Sequence, residues 1–414
     1  MGRLRMSDEE RLLRCLIGVA PRRAREEPLV RELFARSDPA LLRETFERDR
    51  LVPLAGGRLV AIVGDMAPEW LRTWVDQHTA AAQAWGERHE LIELLVLGAL
   101  KRAGVAAMPL KGSRVARDVH GSLALRSAGD IDVLVAEEDL ARGVSALVAE
   151  GWSPPGDPVG KDGLPMIHFA LDHKGGLPPV ELHWRVHFHE RTWARGVLER
   201  SDTGPGEREP SAGDLLALLL LLYAREGCNN LRLAADVAGW WDRFGDAPMA
   251  GALASVDAVP SLRPAFVTAA VAAERAVGLP SARVLGLHVR SPGCSRLGVQ
   301  FATLPLAATD EQRKAERRLA DHLLAPASEL VPSLRRQAIP SPAVAVYLRP
   351  HLADDRRRLA ADVLVSALMV PTRAVIAGLR LRGSAVGTQL EVGLDRRRAE
   401  LRGGAFGGRS GPSD

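Results

Sequence analysis

Apolar residues recur at three- and four-residue intervals through the first hundred positions, as at Leu12, Leu13, Leu16 and Ile17 and again at Leu91, Leu94, Leu95 and Ala99. That spacing lines one face of an α-helix and predicts a helical N-terminal region over 1–104. One interruption, Gly56-Gly57 between Leu51-Val52 and Leu59-Val60-Ala61, predicts a turn or short hairpin. From residue 105 the period changes. β-like runs at Ala106–Leu110, Asp130–Val135, Ile167–Leu171 and Val180–Phe188, with a helical stretch at Glu138–Glu150, predict an α+β core over 105–200. Proline and glycine crowd Pro154–Gly163 and Gly175–Pro179, which read as loops. Ser201–Pro210 breaks any regular element. Helical periodicity then returns at Ala212–Arg225, Leu231–Phe244, Arg263–Val277, Asp310–Leu324 and Asp354–Val370, predicting a helical C-terminal domain over 201–381. The Gly- and Arg-rich remainder, 382–414, is expected to be a disordered tail.

Composition narrows this picture only modestly. A chain of 414 residues with 46% hydrophobic and 26% charged residues can bury sizeable cores, which excludes wholesale disorder. A net charge of +4 does not favour nucleic acid as a partner, and the Arg396–Arg398 cluster reads as solvated surface. Three cysteines without C-x-x-C spacing suggest neither a disulfide framework nor a zinc knuckle. Acidic residues follow Met1–Arg5 where a secretory signal would turn apolar, and the longest apolar run, Leu215–Tyr223, falls well short of the roughly 20 residues of a membrane span. A cytoplasmic location without membrane contact is expected.

The chemistry centres on Gly129-Asp130-Ile131-Asp132-Val133-Leu134-Val135. Alternation on a strand places Asp130 and Asp132 on one face, with Ile131, Val133 and Val135 on the other. Such a pair suits hard divalent cations and, with magnesium, the transfer of phosphoryl or nucleotidyl groups. A lone D-x-D is as readily a solvated edge. Upstream, Lys111-Gly112-Ser113 follows a short apolar run and precedes a helical stretch, Arg114–Val119. That is the form of an anion cradle, and equally of an ordinary helix start. Downstream, Glu181, His183, Arg185, His187 and His189 alternate with Leu182, Trp184, Val186 and Phe188. This reads as an open wet face, or as a cleft floor with Glu181 as third carboxylate. A zinc site on the three histidines is disfavoured, because one strand spreads them too far apart. Arg126, four residues before Asp130, could pair with a carboxylate or a triphosphate.

Taken together, Leu110-Lys111-Gly112, Arg126, Asp130, Asp132, Gly151-Trp152 and Val180-Glu181-Leu182-His183-Trp184 resemble the uncharacterised nucleotidyltransferase family of the DNA polymerase beta-like superfamily. Leu231-Arg232 and Asp236 resemble a later helix of that family. The resemblance implies a nucleotidyltransferase fold, a small mixed sheet flanked by helices. It also implies two-metal transfer from an NTP to an acceptor hydroxyl. In that reading Asp130, Asp132 and Glu181 hold Mg2+ or Mn2+, while Lys111, Gly112, Ser113, Arg126 and His183 serve the nucleotide. The acceptor, whether small molecule, peptide or protein, is open. A catalytically inactive scaffold and a phosphotransferase using the same metal site are the alternatives.

Overall fold

The computed structural model describes residues 6–155, 166–203 and 208–303, together with 357 and 360. The expected helices Asp310–Leu324 and Asp354–Val370, the tail and the Arg396–Arg398 cluster lie outside the described residues, as does most of the Pro154–Gly163 loop.

Five helices open the chain: α1 Asp8–Ile17, α2 Ala20–Arg36, α3 Pro39–Arg48, α4 Gly57–Val63 and the long α5 Glu69–Arg102. Local signals account for their starts. Ser7 and Asp38 accept from backbone N–H groups of the first turns of α1 and α3, and proline opens α3. At Gly56-Gly57 the expected turn or hairpin is corrected. Val52–Gly56 forms one wide helical turn running directly into α4. Gly56 is helical and lies under Val75 of α5, where a Cβ would come within 2.7 Å of a valine methyl.

The sheet contains β1 Ala107–Pro109, β2 Ile131–Val135, β3 His168–Leu171 and β4 Val180–His183, in the order β1-β2-β4-β3. β2 and β4 run parallel, while each edge strand is antiparallel to its neighbour. Pro109 sits on an edge strand, where its missing N–H leaves the ladder intact. α6 Ser113–Asp118 follows β1, and α7 Leu140–Ala149 follows β2. Ile131, Val133, Val135, Val180 and Leu182 form one core with Ile92, Val96 and Leu100 of α5 and Leu147 of α7. Residues alternating with these therefore face the other way.

The expected strand Val180–Phe188 is corrected: β4 ends at His183. Its pairing with β2 stops at Leu134–His183 and its pairing with β3 starts at His168–His183, although the Trp184 N–H still reaches the Ile167 carbonyl at 3.1 Å. Beyond it the backbone turns onto Glu190, whose carboxylate accepts from the N–H groups of Val186 and Ala194. The unbroken five-residue polar face is thereby lost. Glu181 and His183 remain on the strand, and His187 is buried in the loop with its ring 5.5 Å from that of His189.

After α8 Trp193–Arg200 and a short hairpin of β5 Asp202–Thr203 and β6 Arg208–Glu209, the chain is helical again. α9 Ala212–Arg225, α10 Leu231–Phe244, α11 Met249–Asp257, α12 Arg263–Val277, α13 Ser281–Leu285 and α14 Arg296–Phe301 complete the described residues. α9 is apolar on every face beyond Asp214 in its first turn, and every residue from Gly213 to Ala224 is buried. Helices from both ends share one core. Leu12, Leu16 and Phe46 pack in the same cluster as Leu220, Trp240 and Phe266. The Val19 N–H bonds to the Val277 carbonyl at 2.8 Å. Among the described residues no helix is long and apolar enough to cross a membrane.

Candidate metal centre

Parallel pairing of β2 with β4 sets Asp132 directly beside Glu181. Asp130 stands one residue before β2, in phase with Asp132. One oxygen from each of Asp130, Asp132 and Glu181 lies within 4.8 Å of the others, close enough to share an ion. Asp132 is buried, and the other two are partly exposed. The cluster therefore has a closed floor and an open rim.

The Lys111 turn is drawn against this floor by a bond from the Leu110 N–H to the Asp132 carbonyl at 3.0 Å. Lys111 Nζ then lies 3.0 Å from Asp132 Oδ2 and 3.6 Å from Asp130 Oδ2. His183 is wholly buried, its Nε2 being 3.0 Å from Asp132 Oδ1 and 3.2 Å from Glu181 Oε2. With its proton on Nε2, one imidazole donates to both carboxylates and fixes their separation.

Burial alone would raise the Asp132 pKa, but the Lys111 ammonium and the His183 hydrogen bond outweigh it and hold this carboxyl well below the usual range. Glu181 is lowered as well, its burial and the Asp132 charge being offset by His183 and His168. His183 is raised, because its two carboxylate partners overcome the effect of burial. Asp132 and Glu181 are thus ionised at neutral pH. Asp132 Oδ2 is buried and accepts no well-aligned hydrogen bond, facing only the ammonium of Lys111. Three hard oxygen donors, one an orphaned buried lone pair already against a cation, fit a divalent ion.

The remaining sequence-predicted residues are placed differently. Ser113 donates its hydroxyl to Glu93 of α5, and Gly112, at φ +79°, packs against the same carboxylate. Arg126 is buried, and its Nε bonds both oxygens of Asp236 on α10 at 3.0 and 2.9 Å. His120 binds the same Asp236 at 2.9 Å. Of the histidines once considered for zinc, His183 joins the acids. His187 and His189 belong to neither group of metal-capable side chains among the described residues.

Sequence reasoning missed several supports. Trp85 and His89 of α5 hold the carbonyls of Ala128 and Asp130 at 2.6 and 2.9 Å, and Glu93, one turn further, holds Ser113. Their i, i+4, i+8 spacing was the available signal, but polar residues at helical period equally mark a solvated face. His168 was also missed, although it alternates with Ile167 and Phe169. It pairs in register with His183 and forms, with Glu181 and His183, a second group whose ligand atoms lie within 4.8 Å of one another.

A family model described as uncharacterised nucleotidyltransferase matches residues 36–277, more than half of the chain. No curated protein and no solved structure matches it. The matched span contains both acid-bearing strands, the Lys111 turn and the Asp236 helix, and on that match the chain belongs to the uncharacterised nucleotidyltransferase family.

Proposed function

We propose that this protein is a metal-dependent nucleotidyltransferase that moves a nucleotidyl group from an NTP to an acceptor hydroxyl. The observation that carries the reading is the meeting of Asp130, Asp132 and Glu181 oxygens within 4.8 Å on two adjacent parallel strands. Mg2+ or Mn2+ held there would neutralise phosphate charge and stabilise the attacking and leaving oxygens.

The chain's own residues prepare that site. Lys111 and His183 keep Asp132 ionised without any other cation, so no proton has to leave it before a metal is taken up. His183 locks Asp132 and Glu181 in one relative orientation, reducing the reorganisation required on loading. Glu181, with its lowered pKa, is a weak base near neutrality. That supports its role as third oxygen ligand over that of proton acceptor from the hydroxyl. Trp85 and His89 fix the loop that presents Asp130.

The test is incubation of the full chain with magnesium, each labelled NTP and a fractionated metabolite pool, followed by identification of the labelled product. An Asp132→Asn variant that retains full transfer rules the mechanism out. A product carrying only a phosphoryl group assigns the same site to phosphotransfer, and nucleotide binding that ignores magnesium points to an inactive scaffold.

A further inference from the structure

The Lys111-Gly112-Ser113 turn is poorly suited to phosphate. The Glu93 carboxyl already accepts a hydrogen bond from the Ser113 hydroxyl and lies 3.1 Å from where a Gly112 Cβ would stand. A triphosphate there would have to displace this buried carboxyl group from the Ser113 hydroxyl. The cationic surface lies instead on the loop just before the first aspartate. Arg232 of α10 donates from Nη1 to the Ser127 carbonyl at 3.1 Å. The Arg50 guanidinium covers Gly129, with Nη1 3.1 Å from the position a Cβ would take. Arg126 begins the same loop.

Charge balance around these three residues is uneven. The nearby Asp236 is already shared by Arg126 and His120. Neither Arg50 nor Arg232 has an acidic side chain within ion-pair distance among the described residues. Arg232 is lowered by its burial and by the charges of Arg126 and Arg50, which outweigh the opposing pull of Asp236 and Asp130. Arg50 is exposed and Arg232 partly exposed, so an anion from solvent can reach both. Arg50 also adopts a left-handed backbone, φ +54°, in the turn after α3. Glycine takes that conformation more easily, so an arginine at this position carries a local backbone cost.

We propose that Arg50 and Arg232 form the triphosphate-binding arm of the site, gripping the phosphates that leave when the nucleotidyl group is transferred. This deepens the transferase reading and rests on it. Planar guanidinium forks bind phosphate oxygens two at a time, and the Asp130 loop they hold places that anion beside the metal-binding acids.

Calorimetric titration of the full chain with inorganic triphosphate, with and without magnesium, tests the assignment. Arg50→Gly relieves the left-handed backbone, and Arg232→Gln keeps a donor for the Ser127 carbonyl. Each is expected to weaken triphosphate binding by on the order of tenfold or more, with an unfolding midpoint for Arg50→Gly no lower than that of wild type. If both variants bind triphosphate within about twofold of wild type, or if the wild-type chain binds none, the inference falls. Wild-type transfer with unchanged NTP KM in both variants overturns the arm alone. Triphosphate binding lost in the variants, in a wild type that moves no nucleotidyl group, supports the arm and removes the transferase reading.

Discussion

Asp132 and Glu181 are register partners across a parallel strand pair, and a single buried imidazole, His183, bonds to both. The relationship matters because two like charges this close repel each other. Here Lys111 and His183 offset that repulsion before any metal arrives. The centre is preorganised by protein cations, and its response to an added divalent ion is correspondingly predictable.

Divalent metal should stabilise the folded chain through these acids. At 100 times the dissociation constant, bound magnesium contributes about 2.7 kcal/mol, read as a rise in the thermal unfolding midpoint. In Asp132→Asn the rise should vanish, since the buried oxygen that faces Lys111 is replaced by an amide. An equal magnesium-induced rise in the variant would place the metal elsewhere.

Stability should also depend on mildly acid pH through His168. Burial, followed by the neighbouring His183 charge, lowers its pKa from 6.5 to about 4. The unfolded chain therefore binds a proton below pH 6.5 that the folded chain refuses until about pH 4, and stability is lost as pH falls through this window. The full shift corresponds to about 3 kcal/mol, and partial exposure of the ring reduces this to roughly 1–2 kcal/mol. His183 acts in a separate window. Its folded pKa is raised, so its contribution is complete below 6.5 and is lost as pH rises through the folded value. Urea titrations between pH 4 and 6.5 should show the slope, and His168→Gln should flatten it. A slope unchanged in that variant would assign the proton to another group.

Much of the centre was legible in the chain, for identifiable reasons. Alternation along β2 is a local property, so the shared facing of Asp130 and Asp132 followed from their spacing. The family resemblance supplied Glu181, which spacing alone left open. What could not be read is whatever depends on where the chain turns away or which helices return. β4 stops at His183 because the chain beyond it turns onto the Glu190 carboxylate, and nothing within Trp184–Phe188 announces that. Gly56-Gly57 carries the signal of a turn, yet both are helical, with Gly56 packed beneath Val75 of α5. Arg126 was open to either a carboxylate or a phosphate. Its partner, Asp236, lies 110 residues away on α10, a pairing that only the packing of that helix onto the loop decides.

Gly112→Ala tests the turn that presents Lys111. Its backbone φ of +79° is one that residues with a Cβ rarely adopt, and the added carbon would lie 3.1 Å from Glu93 Oε2. The substitution should cost about 1–2 kcal/mol in backbone conformation alone. It should also weaken magnesium binding, because Lys111 and the Leu110 bond to the Asp132 carbonyl move with the turn. Denaturant unfolding with and without magnesium separates the two effects, and wild-type values in both would show that this conformation is not needed.

Asp236 provides the sharpest separation of structure from chemistry. It is wholly buried, lies on a helix of the large core, and bonds Arg126 and His120 at once. Arg126 and His120 hold its pKa down against burial. Asp236→Ala leaves the Arg126 guanidinium buried without its acid, a change that costs about 3–5 kcal/mol. Asp236→Asn keeps an acceptor oxygen and should cost less. Because Arg126 anchors the loop ending at Asp130, Asp236→Asn should also lower the affinity for magnesium, although residue 236 is no part of the acid cluster. Arg126→Gln combined with Asp236→Asn removes the buried charge and its partner together, and should recover stability relative to Asp236→Ala without restoring magnesium affinity. Recovery of both in the double variant would mean that the Arg126–Asp236 pair holds the fold and has no part in positioning Asp130.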